Sequence, residues 1–462
     1  MQEEEPNDEH VDQHMLDDTD SGSDADLVSE SDEECDEQCE EAGAVVTRTY
    51  VPSGDDDQQS LECDESAYVL YQKAETGLPC LSFDLIADDL GSGDERANSF
   101  PIAFSMVSGT QGPKVHINSL LVIKMSNLQR NKQQMEEDDA ENEDSEESDD
   151  EDEPEFQCVQ IPHSGCVNRV RSTVLGNKVV AASWSELGNV HLWDLSKELQ
   201  AVNDSEAMDL YQRSKEKSLP IFTFTGHQQE GFAVDWSNAS IGLLATGDCQ
   251  KNIHIWRPLE AFTWNVDQQP LCGHVKSVED LQWSPNEANV LASCSVDKTI
   301  RVWDIRARPS SSCVITVNDA HEADVNVISW NKKEPSFLLS GGDDGAIKTW
   351  DLRQFGKSKD PKPIATFKHH VAAITSIEWH PSDSTVFAAS GADNQLTLWD
   401  LAVEKDDEDE EEEEELRKLP PQLLFIHQGQ KDIKELHWHS QIPGLIISTA
   451  SNGIDIFRSI SV

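Results

Sequence analysis

The chain has 462 residues, 37% of them hydrophobic, and a formal net charge of −54, with 35 Lys and Arg against 89 Asp and Glu. That length supplies one large core, and an acidic excess of this size excludes direct DNA or RNA binding by the acidic segments, because phosphates need cations. No apolar run reaches the roughly 18 residues of a membrane-spanning helix, and the first residues lack the basic-then-apolar order of a secretory signal.

In chain order, 1–65 reads as a disordered acidic tail: residues 1–66 hold 25 acidic side chains and one basic, too much like charge to bury a core. Ser21, Ser23, Ser29 and Ser31 sit among those acids in the surroundings that acid-directed kinases accept, and each phosphate would add about 1.5–2 negative charges. Over 66–130 a short helix is expected from Tyr68, a break at Gly77–Pro79, and propeller-closing strands through Phe100–Val107 and Lys114–Met125. A second acidic insertion covers 131–156; its 136–155 stretch holds 15 acidic and no basic residues, with Ser145 and Ser148 as further phosphorylation candidates. Residues 157–460 are repetitive and contain a third acidic loop, 404–418, where 404–415 holds 11 acidic residues and one basic. The three runs take 51 of the 89 acidic residues and 2 of the 35 basic ones, so everything else is close to neutral, at −5.

The repeat is a His followed 29 or 30 residues later by an aromatic at a strand end: His163 to Trp193, His227 to Trp256, His274 to Trp303, His321 to Trp350, His370 to Trp399 and His427 to Phe457. This pattern is that of WD repeats, which stack into a closed β-propeller. The expected fold class is therefore all-β, a seven-bladed propeller with an N-terminal helix, six blades from the repeats and one from the residues around 66–128. In the third repeat His274, Ser293, Asp297 and Trp303 should form a buried hydrogen-bond chain, and in the fourth His321, Ser340, Asp344 and Trp350. The fifth keeps His370, Asp393 and Trp399 but has Ala389 at the hydroxyl position; the first two have Leu187 and Gln250 where the Asp belongs. Such Ser, His and Asp sets resemble a hydrolase triad on paper, yet no GxSxG elbow accompanies them, and a fully paired polar chain rigidifies a blade. The sets are read as scaffold, and the chain is expected not to be an enzyme. The ten cysteines show no CxxC spacing, which fits free thiols in a reduced compartment, and no cofactor or metal set is legible.

Two flanking segments are more specific than the repeats: YVLYQKAETGLPCLSFDLIADDL, Tyr68 to Leu90, and LPPQLLFIHQGQKDIKELHWHS, Leu419 to Ser440. With ASWSELGNVHLWD, ending at Asp194, they resemble the WD-repeat histone-chaperone family that includes the retinoblastoma-binding chromatin proteins. The resemblance implies an N-terminal helix and an acidic insertion ending in a Pro-Pro loop, which together make a side groove for a helix of a basic partner. Carried over by position, the helix side would use Tyr68, Leu70 and Tyr71. Opposite would lie Asp406, Asp407, Glu408, Asp409, Glu410, Glu411, Glu412, Pro420, Pro421 and Leu423, although Leu423 and its neighbours also read as a blade strand.

The acidic tracts point to the ribosome-assembly branch of that family. For it the resemblance implies nuclear and nucleolar residence and chaperoning of a newly made, basic large-subunit ribosomal protein bound for pre-ribosomal particles, with core histones also bound. Two alternatives stand beside it. One is a histone-binding component of a chromatin complex. The other is a substrate receptor that meets a cullin-ligase adaptor through WDIR (Trp303, Asp304, Arg306) and WDLR (Trp350, Asp351, Arg353); the plain reading of each Arg is a solvated strand end.

Overall fold

The computed structural model describes residues 63–131, 153–214, 216–357, 361–404 and 419–462. They form seven four-stranded antiparallel sheets, the blades of one propeller. Blade 1 is built from Cys80–Ile86, Ile102–Thr110, Ser119–Leu128 and Glu155–Pro162, from the channel outwards. Blades 2 to 6 follow in order. Blade 7 takes Glu435–Trp438, Leu445–Ala450 and Gly453–Ser459 from the end of the chain and its outer strand, Tyr68–Ala74, from the beginning. The ring is thus closed by a strand pairing Tyr71 with Phe457 and Ala74 with Ile454.

The helix expected at Tyr68 is not there. A single 3-10 turn, Glu65–Ala67, leads directly into the closing strand. Period-2 burial explains why: Tyr68 and Leu70 face the core at 7% and 0% exposure while Val69 and Tyr71 are half-buried, and aromatic and β-branched residues suit a pleated, half-buried position. The strands through Phe100–Val107 and Lys114–Met125 build blade 1 rather than close the ring.

Apolar residues are buried between blades. Val107, Leu120 and Val122 of blade 1, for example, pack with Val167, Ala181 and Trp193 of blade 2. Such burial contributes about 1.5–3 kcal/mol per large side chain. Blades approach so closely that Gly341 admits no side chain: a Cβ there would lie 2.5 Å from Ile374 of the next blade. Polar clasps join the innermost strands across the blade boundaries. Asp235 accepts from the Trp283 N–H at 2.7 Å, Gln282 from Trp330 at 2.7 Å, Ser329 from Trp379 at 3.1 Å, Glu378 from Trp438 at 3.0 Å, and Glu435 from Phe83 at 2.8 Å.

The repeat tetrads are formed as the third and fourth copies predict. His274 meets Asp297 at 3.0 Å and Ser293 at 2.7 Å, and Trp303 donates to the same Ser293 at 2.8 Å. His321, Asp344, Ser340 and Trp350 repeat the arrangement. Three copies improvise. At Ala389 the missing hydroxyl comes from its cross-strand partner Thr397, 2.9 Å from His370 and 2.7 Å from the Trp399 nitrogen. In the second copy Asp248, two residues before Gln250, supplies the carboxylate at 2.8 Å from His227. In the first copy His163 uses the Gly165 carbonyl instead, at 2.9 Å, and burial holds its imidazole neutral down to about 4.

Candidate functional site

In every blade the third strand ends beside the start of the fourth, so all these connections open on one face of the ring. Glu155 lies beside Ser126 in blade 1, and Leu423 beside Trp399 in blade 6. In blade 7 the entry to the closing strand, Tyr68, lies beside Ser459. The three acidic segments therefore attach to this same face, at Cys63, between Asn131 and Glu153, and between Glu404 and Leu419. Asp406 to Glu412, and Ser21, Ser23, Ser29, Ser31, Ser145 and Ser148, lie outside the described residues.

Two of the attachment points meet at the closing strand, and the strand that follows the third packs against it. Asn131 donates its backbone N–H to the Val69 carbonyl at 3.0 Å and its side-chain amide to the carbonyls of Glu65 and Tyr68 at 3.3 and 3.2 Å, and accepts from the Tyr71 N–H at 3.3 Å. From the blade 6 side, Phe425 meets the Tyr68 ring edge-on with centroids 5.3 Å apart, and Leu424 packs into the same cluster. The base of the third insertion is pinned by Gln422 donating to Val403 at 3.1 Å and Leu423 donating to Pro420 at 3.0 Å. Pro421 is exposed; Pro420 and Leu423 are half-buried.

Tyr68 and Tyr71 stack at 4.9 Å and end in a polar latch. The Tyr68 hydroxyl lies 2.8 Å from His427 Nδ1, His427 Nε2 lies 3.2 Å from Asp455, and Tyr71 donates to Asp455 at 2.9 Å. Burial, then the nearby Asp455 carboxylate, pushes the Tyr71 phenol well above its usual value. Of the three residues expected on the helix side of a groove, only Tyr71 is half-exposed, next to the attachment residue Asn131. Tyr68 serves the latch, and Leu70 is buried among Phe83, Met106 and Ile456. Asn131, which ties two attachment points together, carries no sequence signal, since a single Asn before an acidic run is unremarkable.

The two WDxR sequences occupy the same face on adjacent blades. The Arg306 guanidinium forks onto Asp304 at 2.6 and 2.8 Å, and Arg353 onto Asp351 at 2.8 and 3.1 Å, with the Arg side chains 66% and 61% exposed. Hydrogen bonds from these Arg residues hold both Asp carboxyls below their usual range. Trp303 and Trp350 are buried and belong to the tetrads. Between the third and fourth strands of blade 2 this face also carries two helices, Ser196–Asn203 and Ser205–Arg213, the first packed against blade 1 through Ala201 and Val202.

Comparison with known proteins agrees with the geometry. The family described as WD domain, G-beta repeat matches residues 266–304, 311–351 and 361–400. The family of the histone-binding protein RBBP4 and its counterpart in the CAF1 complex matches 58–129, which contains the closing strand and most of blade 1. The chain is 42% identical to Protein HEAT STRESS TOLERANT DWD 1 of Arabidopsis thaliana over 91% of its own length and 93% of the relative's. It is 44% identical to Glutamate-rich WD repeat-containing protein 1 of Dictyostelium discoideum, over 87% of this chain and 83% of the relative. It is 39% identical to Ribosome assembly protein rrb1 of Schizosaccharomyces pombe, over 87% and 82%. A seven-bladed WD propeller with acidic insertions at one face, alike over most of its length to these proteins, belongs to the glutamate-rich, ribosome-assembly family of histone-binding-type WD-repeat proteins.

Proposed function

We propose that the chain is a nuclear and nucleolar chaperone that holds a newly made, basic large-subunit ribosomal protein, with core histones as a second client, until it joins pre-ribosomal particles. The observation that carries this reading is that all three acidic attachment points open on one face, two of them tied together by Asn131 at Glu65–Tyr71 and the third leading into the strand whose Phe425 packs on Tyr68. The runs are attached at one side of an otherwise nearly neutral body, and 51 of 89 acidic residues lie in them. Carboxylates at that density attract Lys and Arg over a Debye length of about 8–10 Å and steer a basic partner to one place. In this reading Asp406 to Glu412 pair with the client's cations, Pro420, Pro421, Leu423 and the Tyr71 ring give it apolar contact, and Tyr68 and Leu70 act only by holding the closing strand. The relatives' names support the ribosomal side, and the histone-binding family description supports the second client.

Histones H3–H4 serve as a defined basic probe. Their affinity for the full chain should fall by about tenfold or more between low and physiological salt. A variant with all three runs changed to Asn and Gln should lose both the affinity and its salt dependence. Unchanged affinity in that variant would contradict the reading.

A second reading, adaptor docking through Arg306 and Arg353, is favoured by one observation: two exposed Asp–Arg forks of the same geometry stand on neighbouring blades. Absence of any ligase adaptor from wild-type purifications would remove it.

A further inference from the structure

The outer strands of blades 2 to 6 are short, three to five residues each: Phe222–Phe224, Trp264–Val266, Cys313–Val317, Ala365–Phe367 and Leu423–His427. The outer strand of blade 1, Glu155–Pro162, runs eight residues and pairs along its whole inner side with Ser119–Ser126. The seven-residue closing strand has its outer side taken at Val69 and Tyr71 by Asn131. Among the described residues nothing pairs with the outer backbone of Glu155–Pro162. The helix Ser196–Asn203 covers only the face carrying Val159 and Ile161. Phe156 is 41% exposed, and Glu155, Gln160 and Pro162 are exposed as well.

An open edge of this length offers unpaired N–H and C=O groups at about every second residue and pairs with other strands unless something opposes it. Here the opposing element is charge. The strand is entered from the acidic run, with 15 acidic residues over 136–155 and Glu153 and Glu155 at its mouth. Two copies laid edge to edge in parallel would bring two such runs together, which opposes self-pairing in that direction. A segment rich in Lys and Arg meets no such opposition. We infer that Glu155–Pro162 is a strand-addition site, taking an extended basic segment of the client as a fifth strand of blade 1. Main-chain hydrogen bonds would supply affinity, and alternate side chains of the segment would pack beside Phe156 while cations face Glu153 and Glu155. The inference rests on the basic-client reading and adds to it where, and in what conformation, the client is held.

The test uses the full chain and a peptide of about 12 residues alternating Lys and Val, beside the same peptide N-methylated at alternate backbone nitrogens. Charge and side chains are unchanged by methylation, but the donors on one edge are gone. The unmodified peptide should bind about tenfold tighter, the effect of one or two net hydrogen bonds, and should slow amide exchange across Glu155–Pro162. Equal affinities, or slowed exchange confined to other strands, would overturn strand addition here and leave the acidic capture standing. Failure of both peptides to bind at low salt would overturn both.

Discussion

Replacing Glu435 with Ala is expected to destabilise the propeller by about 3–5 kcal/mol, because the change leaves two largely covered cations without their partner. Glu435 has no solvent exposure and joins three blades. One oxygen takes Arg169 and, at 2.7 Å, Arg171, both from blade 2; the other accepts from the Phe83 N–H of blade 1 at 2.8 Å. His437 approaches at 3.7 Å and bonds Glu378 of blade 6 at 3.0 Å. Burial opposes ionisation of Glu435, but Arg171 and Arg169 outweigh it and hold the carboxyl well below 4.5. Burial likewise opposes the His437 charge, and Glu378 with Glu435 overcomes it, raising the imidazole from 6.5 to about 9.

The signs of the two contributions differ. A depressed carboxyl contributes stability that is present above 4.5 and lost as pH falls below it; a raised imidazole contributes stability that is whole below 6.5 and lost as pH rises towards 9. Urea unfolding of wild type and Glu435→Ala should therefore differ most between about pH 4.5 and 6.5. The part due to His437 should fade by pH 9, while the part due to the arginines persists. A difference below about 1 kcal/mol at pH 6 would show that the cations find water instead.

Leu70→Ala should cost about 2–5 kcal/mol, the range for deleting a buried Leu side chain. A groove-lining Leu70 would instead impair client binding with little effect on folding. The residue has 0% exposure and packs with Phe83, Met106, Ile454 and Ile456, so the substitution opens a cavity at the junction of blades 7 and 1. Thermal unfolding and histone affinity, measured on the same preparation and corrected for the folded fraction, separate the two. Lowered stability with unchanged affinity per folded molecule is the expected result. Unchanged stability with lost affinity would return Leu70 to the binding surface.

The six repeats are legible in the sequence because each carries its own local marker, a His and an aromatic at fixed separation. Blade 1 has no such marker and shows only as strand-like stretches. The closing strand reads as a helix start because its partner, Gly453–Ser459, lies nearly the whole chain away; the Tyr71–Asp455 bond spans 384 positions. Local preference cannot report a pairing at that range. Thr397 and Asp248 escape for a subtler reason: the tetrad needs a hydroxyl and a carboxylate in space, and the cross-strand partner can supply the first and a position two residues earlier the second. The Glu435 cluster joins residues 264 and 266 positions apart and has no linear pattern. Of the face that carries the acidic attachment points, the sequence shows the amount of charge but not that the points open on one side of the ring, because that depends on which blade connections open on which side.

The most direct measurement is pulse-labelled co-purification of the tagged chain, comparing wild type with a variant in which Asp406 to Glu415 are changed to Asn and Gln. A dominant, newly made basic protein of the large ribosomal subunit is expected in the wild-type sample, strongly reduced in the variant. Equal recovery of that protein from both would contradict capture by the acidic insertion, and a wild-type sample holding no basic client would contradict the chaperone function as a whole.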